Sequence, residues 1–211
     1  MIEVKRADGY LYTEGLATLG AAEIVLHEVR TDWRDDAEQL LAYIAKYVTS
    51  AGRTIHAEET MNYGFWLIKF VAHRAKTLEV HEYNETGAEF IPGARLSMEF
   101  WRDQHNVCRR ANAAFAPPRP DELVAVSPDL VEAPVIEAVR HELGHGQSGW
   151  IMTSEGFEGP VQSLRQEHLL HLVSSRRDIL RYVALPVGFR FVTNDGSTVW
   201  FDQSVGSRKL G

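Results

Sequence analysis

Cys108 is the chain's single cysteine, so no internal disulfide can form. That fits a reducing compartment, and burial is the ordinary fate of a lone thiol. Long apolar runs are missing too: no stretch approaches the roughly 20 residues that a membrane-spanning helix requires. The opening Met1-Ile2-Glu3-Val4-Lys5-Arg6 lacks the basic segment and apolar stretch of a secretory signal. The expectation is a cytoplasmic protein with no membrane partner. Basic charge is short as well, with 22 Lys and Arg against 29 Asp and Glu and a formal net charge of −7. Neither half carries a basic excess, so the footprint of a phosphate backbone is absent and nucleic acid is not an expected partner. Neither G-x-G-x-x-G nor G-x-x-x-x-G-K-S/T occurs, which removes the common phosphate-cradling loops. There is no G-x-S-x-G nucleophile elbow and no repeat of 20–50 residues.

What remains is an ordinary globular composition, 45% hydrophobic and 24% charged over 211 residues, enough for one large or two small cores. Gly9–Tyr12 and Glu23–Arg30 read as strands. Trp33, Ala37, Leu40, Leu41, Ile44 and Val48 follow helical spacing after a capping Asp32, which predicts an amphipathic helix over Asp32–Ser50. Phe65–Val71 and Thr77–Tyr83 read as a strand pair. Leu96, Met98 and Phe100 lead into a helix over Trp101–Phe115 that carries Arg102, Arg109 and Arg110, a basic cluster read as a solvated face. Ala116-Pro117-Pro118-Arg119-Pro120 cannot be helical. Beyond it, Leu123–Val126 and Trp150–Thr153 read as strands, and Ser163–Val173 and Ser175–Val183 as short helices. Gly188–Val192 and Thr198–Phe201 form a hairpin around Asn194-Asp195-Gly196-Ser197. The expected fold is α+β, mainly antiparallel sheet with flanking helices and two subdomains: residues 1–116, a Pro-rich linker 117–128, and 129–211.

Ala133–Trp150 is the stretch on which function turns. Pro134 suits a first helical turn, and Val135, Ile136, Val139 and Leu143 recur at helical spacing, predicting a helix that ends at Gly144 and Gly146. It contains His141-Glu142-Leu143-Gly144-His145, the HExxH pattern. On a helix, His141 and His145 would share a zinc ion, Glu142 would serve as general base, and Glu167 is available as third ligand. Against this, Ser148 and Ile151 stand where a metzincin needs Gly and His, and His145 falls where the helix ends. Nine histidines also make a chance HExxH more frequent. A zinc-dependent hydrolase stays open as the alternative. The leading reading has no catalytic residue, no metal and no cofactor. Cys108 lacks an assignable base, and His168 and His171 sit beside leucines that place them at a core edge.

The residues from Ser148 onward carry a resemblance: Ser148-Gly149-Trp150-Ile151, then His168-Leu169, then Arg181-Tyr182-Val183-Ala184-Leu185-Pro186-Val187-Gly188-Phe189-Arg190-Phe191, and finally Trp200-Phe201-Asp202. This order resembles a domain family of bacterial immunity proteins from polymorphic and contact-dependent toxin systems, over roughly the last third of the chain. Val187 replaces the pattern's usual second proline or small residue, and Ala184 its usual glycine. The resemblance implies a cytoplasmic protein that binds and neutralises a cognate protein toxin without catalysis. The residues themselves read as core: Leu185-Pro186-Val187-Gly188 turns helix into strand, and Trp150, Phe189, Phe191, Trp200 and Phe201 supply buried aromatic area. For the partner, Asp35, Asp36, Glu38, Glu58 and Glu59 are the candidate contacts, because clustered carboxylates steer a basic protein.

Overall fold

The computed structural model describes residues 2–7, 9–27, 31–142, 144–194, 196 and 198–206. Readings that fall on Glu28–Arg30, Leu143, Asp195 and Ser197 lie outside them. The chain forms two compact units, residues 1–102 and 103–211, each built on its own sheet.

In the first unit, β1 (Glu3–Ala7), β2 (Tyr10–Glu14), β3 (Glu23–His27), α1 (Arg34–Ala51), β4 (Thr60–Tyr63), β5 (Trp66–Ala72), β6 (Thr77–Tyr83) and β7 (Phe90–Pro92) follow one another. The sheet runs β1-β2-β3-β6-β5-β4, with β7 paired to β6. Only β3 and β6 pair in parallel. Alternation explains its two faces: Ile68 and Phe70 on β5 and Leu78 and Val80 on β6 are buried, while Lys69, Val71, Glu79 and His81 between them are half-buried. The buried side packs with Ala37, Leu40, Leu41, Ile44 and Val48, one face of α1. At about 1.5–3 kcal/mol per fully buried large aliphatic, this stripe is what makes the 18-residue α1 stable. Such packing, more than intrinsic propensity, supplies most of a helix's stability in a folded protein.

Helix α2 (Arg95–Arg110) contains the division between the units. Its start is held within the first unit by a buried carboxylate: Glu82 accepts the backbone N–H of Leu96 (2.9 Å) and both the N–H (2.6 Å) and hydroxyl (2.8 Å) of Ser97. These are donors that a helix start leaves orphaned. Arg102 lies over the Trp33 ring at 3.9 Å and pairs with Asp36, so it leaves the solvated basic face on which Arg109 and Arg110 remain exposed.

The second unit holds β8 (Leu123–Val126), β9 (Ile136–Arg140), β10 (Gln147–Ser154), β11 (Arg165–His168), α3 (Leu169–Ser175), β12 (Phe189–Val192), β13 (Thr198–Phe201) and α4 (Gln203–Gly206). Its sheet runs β11-β8-β10-β9-β12-β13, with β8 and β10 parallel and the rest antiparallel. The fold is α+β with two subdomains, as expected, and both sheets are mixed. The boundary differs. The compact units part after Arg102, and residues 117–128 lie inside the second unit. The prolines there break helix, as the sequence says, but Val124, Ala125 and Val126 after them are a buried strand in the sheet's interior. The expected helix over Ser163–Val173 begins instead as β11, because Arg165–His168 pair with β8. No helix among the described residues is long and apolar enough to cross a membrane.

Candidate functional site at the hairpin loop and the outer strand of the second sheet

The HExxH residues are not on a helix. Ile136–Arg140 and Gln147–Ser154 are antiparallel strands, with Trp150 opposite Arg140 and Ile151 opposite Val139. The helical expectation over Ala133–Trp150 is corrected for a definite reason. Ile136, Ala138 and Arg140 alternate inward, but the third inward residue is an arginine, which hides the period of two. Val135, Ile136 and Val139 meanwhile also satisfy the helical period. His141, Glu142 and residues 144–146 lie in the connection between them. Glu142 and His145 are exposed there and His141 is half-buried, its N–H donating to the Gly149 carbonyl at 2.8 Å. Burial, then the charge of Arg190, pushes the His141 imidazole below its ordinary pKa, against the pull of Asp202. Glu167 stands on β11 at the far edge of the sheet. Among the described residues, His141, Glu142, His145 and Glu167 do not form a group whose ligand atoms converge.

The centre of the arrangement is Arg140. Its guanidinium is buried, and its Nε donates to Ser148 O at 2.9 Å. Its Nη1 reaches Ala116 O at 2.5 Å, Leu185 O at 2.6 Å and Val183 O at 3.4 Å. Trp150, whose ring centroid is 5.8 Å away, donates its indole N–H to the same Val183 carbonyl at 3.0 Å. Burial pulls the arginine pKa down to about 10, opposed by the charges of Glu122 and Cys108. A buried cation costs several kcal/mol unless its donors are satisfied. Here backbone carbonyls from three separate segments satisfy them, so Arg140 fixes the segment at Ala116, the hairpin and the Leu185-Pro186 turn against one another. The Ser-Gly-Trp and Leu-Pro-Val-Gly segments, distant in sequence, therefore meet in space. Cys108 lies in the same interior, its Sγ 3.5 Å from Ala184 O. Burial raises its thiol to about 11, the condition of an unreactive core cysteine.

Above this scaffold the surface is open. A pocket of about 230 Å3 is lined by Arg119, Glu122, Arg140, His141, Glu142 and Val187 among others. Beyond Val187 lies the β12–β13 hairpin, and here a second expectation is corrected. Trp150, Phe189 and Phe191 are core, with Trp150 and Phe191 at 5.2 Å and Tyr182 stacked on Phe191 at 4.5 Å. Trp200 and Phe201 are not: they are 40% and 51% exposed. The cause is topological. β13 is the last strand of the sheet, and Trp200 opposes Arg190 on the side away from Phe189 and Phe191. The Phe201 ring instead covers Gly188, where an added Cβ would come within 2.4 Å of it; Gly188 has φ +89°, so glycine is needed there twice over. Arg190 closes the strand pair with a 2.7 Å bond to Asp202. Trp200, beside Arg190, and Phe201, over Gly188, are on opposite faces of this terminal strand, and exposed aromatics on an edge strand are groups that can carry binding energy between proteins.

The five acidic residues lie in the first unit. Asp36 pairs with Arg102, Glu38 with Arg34 at 3.0 Å, and Glu58 with Lys69 at 2.6 Å. Glu59 accepts the His56 N–H at 3.1 Å. Asp35 is exposed in the first turn of α1, where the helix dipole favours an acid. Sequence reasoning also passed over one grouping, His27, His73, Glu79 and His81 on the first sheet, because no motif joins residues so far apart.

Residues 103–202 match the Imm33-like domain, an immunity-protein family. The match begins at the residue where the second compact unit begins and covers just under half of the chain. The expected likeness to an immunity-protein domain therefore holds and extends upstream of Ser148 to Asp103. No curated protein and no solved structure matches the chain.

Proposed function

We propose, from the likeness of residues 103–202 to the Imm33-like domain, that this chain is an immunity protein that neutralises a cognate protein toxin by binding it in the cytoplasm. One observation carries the proposal: the matched stretch and the second compact unit start at the same residue, and the likeness spans that unit as far as Asp202. The Trp200–Phe201 strand, with Val187 beside it, is the contact surface. Asp35, Asp36, Glu38, Glu58 and Glu59 supply charge. Three of them are already paired within their own unit, so what they add is attraction at a distance more than direct contact.

Growth of cells expressing a candidate cognate toxin tests the reading. Co-expression of the wild-type chain is expected to restore growth, and so are His141→Ala and Glu142→Ala. Trp200→Ser combined with Phe201→Ser is expected to lose rescue while the soluble yield stays the same. Failure of the wild type to rescue overturns the proposal. Loss of rescue in Glu142→Ala with the complex still formed would replace occlusion by catalysis.

A further inference from the structure

The half-buried face of the first sheet carries three histidines around one carboxylate. Strand geometry puts them there. Val25 on β3 and Val71 on β5 both stand opposite Glu79 on β6. With side chains alternating along a strand, His27 two residues past Val25, His73 two past Val71, and His81 two past Glu79 all fall on the face of Glu79. His73 is held at the β5–β6 turn by its N–H bond to Thr77 O at 3.2 Å. Tyr10, opposite His27, packs edge-on against that imidazole with ring centroids 3.9 Å apart.

The distances are those of a coordination shell. Nε2 of His27 is 3.2 Å from Oε1 of Glu79, and Nδ1 of His73 is 3.7 Å from Oε2. The ligand atoms of His27, His73 and Glu79 all lie within 4.8 Å of one another. Zinc bonds of roughly 2.0–2.1 Å in a tetrahedron put neighbouring donors about 3.3 Å apart, so small rotations close the site. Nε2 of His81 approaches the same Glu79 oxygen as His73, 3.5 Å from Oε2. The side chains are 16–22% exposed, so solvent and ion can enter.

We infer that His27, His73 and Glu79 bind a divalent transition metal, with Zn2+ the best match to two imidazoles and a carboxylate. His81 is a positioning residue: it orients the Glu79 carboxylate from outside the shell, as groups around metal ligands commonly do. The fourth position is left to solvent. Bound there, the ion joins β3, β6 and the β5–β6 turn. This departs from the expectation of a chain with no metal and no cofactor. It is independent of the immunity reading, because all four residues lie outside residues 103–202.

The test is a zinc titration of the full-length protein, stripped with chelator and followed by calorimetry, with circular dichroism of every variant in chelator as the folding control. One Zn2+ per chain with sub-micromolar affinity is expected. His73→Ala and Glu79→Gln, the second nearly isosteric, are each expected to weaken binding by more than about 100-fold, and His81→Ala by about 10–100-fold. His141→Ala and His168→Ala are expected to leave it unchanged. Absence of saturable binding up to millimolar zinc overturns the inference. So does binding that survives Glu79→Gln but is lost in His141→Ala, which would place the metal at the hairpin loop. Growth rescue by His73→Ala, read separately, shows that failure here does not touch the immunity proposal.

Discussion

Two buried charged side chains meet the same difficulty in opposite ways. Arg140 keeps its charge by donating to backbone carbonyls, and its pKa falls only to about 10, far above physiological pH. Glu82 accepts three donors at the start of α2, yet burial still outweighs them and raises its carboxyl above the usual 4.5. Between 4.5 and that raised value the folded chain holds more protons than the unfolded one, so stability falls as pH rises. The Glu82 contribution is therefore fully present below pH 4.5 and is lost as pH climbs through the folded pKa. Chemical denaturation across that range checks it: the stability difference between wild type and Glu82→Gln should shrink as pH increases. A difference that grows with pH would mean that the bonds from Leu96 and Ser97 dominate burial. None of this was legible in the sequence, where Glu82 is one more polar residue in an alternating strand. Its inward face became meaningful only when α2 was seen to start against it.

At the scale of elements, the sequence disclosed what had one period and concealed what had two. Helix α1 was readable because Ala37, Leu40, Leu41, Ile44 and Val48 fit nothing but a helix, β6 because its alternation was clean, and the β12–β13 hairpin because Asn194-Asp195-Gly196-Ser197 is a turn sequence. The β9–β10 hairpin was not, since an inward arginine broke its alternation while Val135, Ile136 and Val139 imitated a helix. The structure leaves a sharp mark on this element. Gly149 has φ +82°, and an added Cβ would sit 2.2 Å from the His141 carbonyl oxygen, whereas Gly146 has φ +80° and open space around it. Gly146→Ala should cost about 1–2 kcal/mol, the price of the left-handed conformation alone. Gly149→Ala should cost clearly more, because the backbone must also move, and thermal unfolding of the two variants would separate them. Equal losses would mean that the close approach of His141 to Gly149 relaxes at no cost. The two tryptophans give a parallel contrast. Trp150→Ala should destabilise by about 3–5 kcal/mol, and Trp200→Ala by under about 1 kcal/mol, as for a residue on an open strand. A large loss at Trp200 would show it packed in solution and remove it from the contact surface.

Across the whole molecule, aromatic surface and acidic charge lie in different units, and they should act on different steps of association. If Trp200 and Phe201 are the contact groups of the proposed complex, truncating them should raise the dissociation rate and leave the association rate nearly unchanged. The carboxylates act before contact. A chain of net charge −7 would attract a basic partner over distances comparable with the Debye length, about 8 Å at physiological salt. Asp35 and Glu59 can be neutralised without breaking an ion pair, unlike Asp36, Glu38 and Glu58, whose loss would strand Arg102, Arg34 and Lys69. The double variant Asp35→Asn, Glu59→Gln should therefore slow association by a few-fold at low salt, with dissociation unchanged. The difference from wild type should vanish as salt is raised. Surface-plasmon kinetics with the immobilised toxin at several salt concentrations would measure both rates. A salt-independent association rate in the wild type would remove steering from the account and leave the aromatic strand to carry recognition by itself. A change in dissociation in the carboxylate variant would instead make the first unit part of the contact.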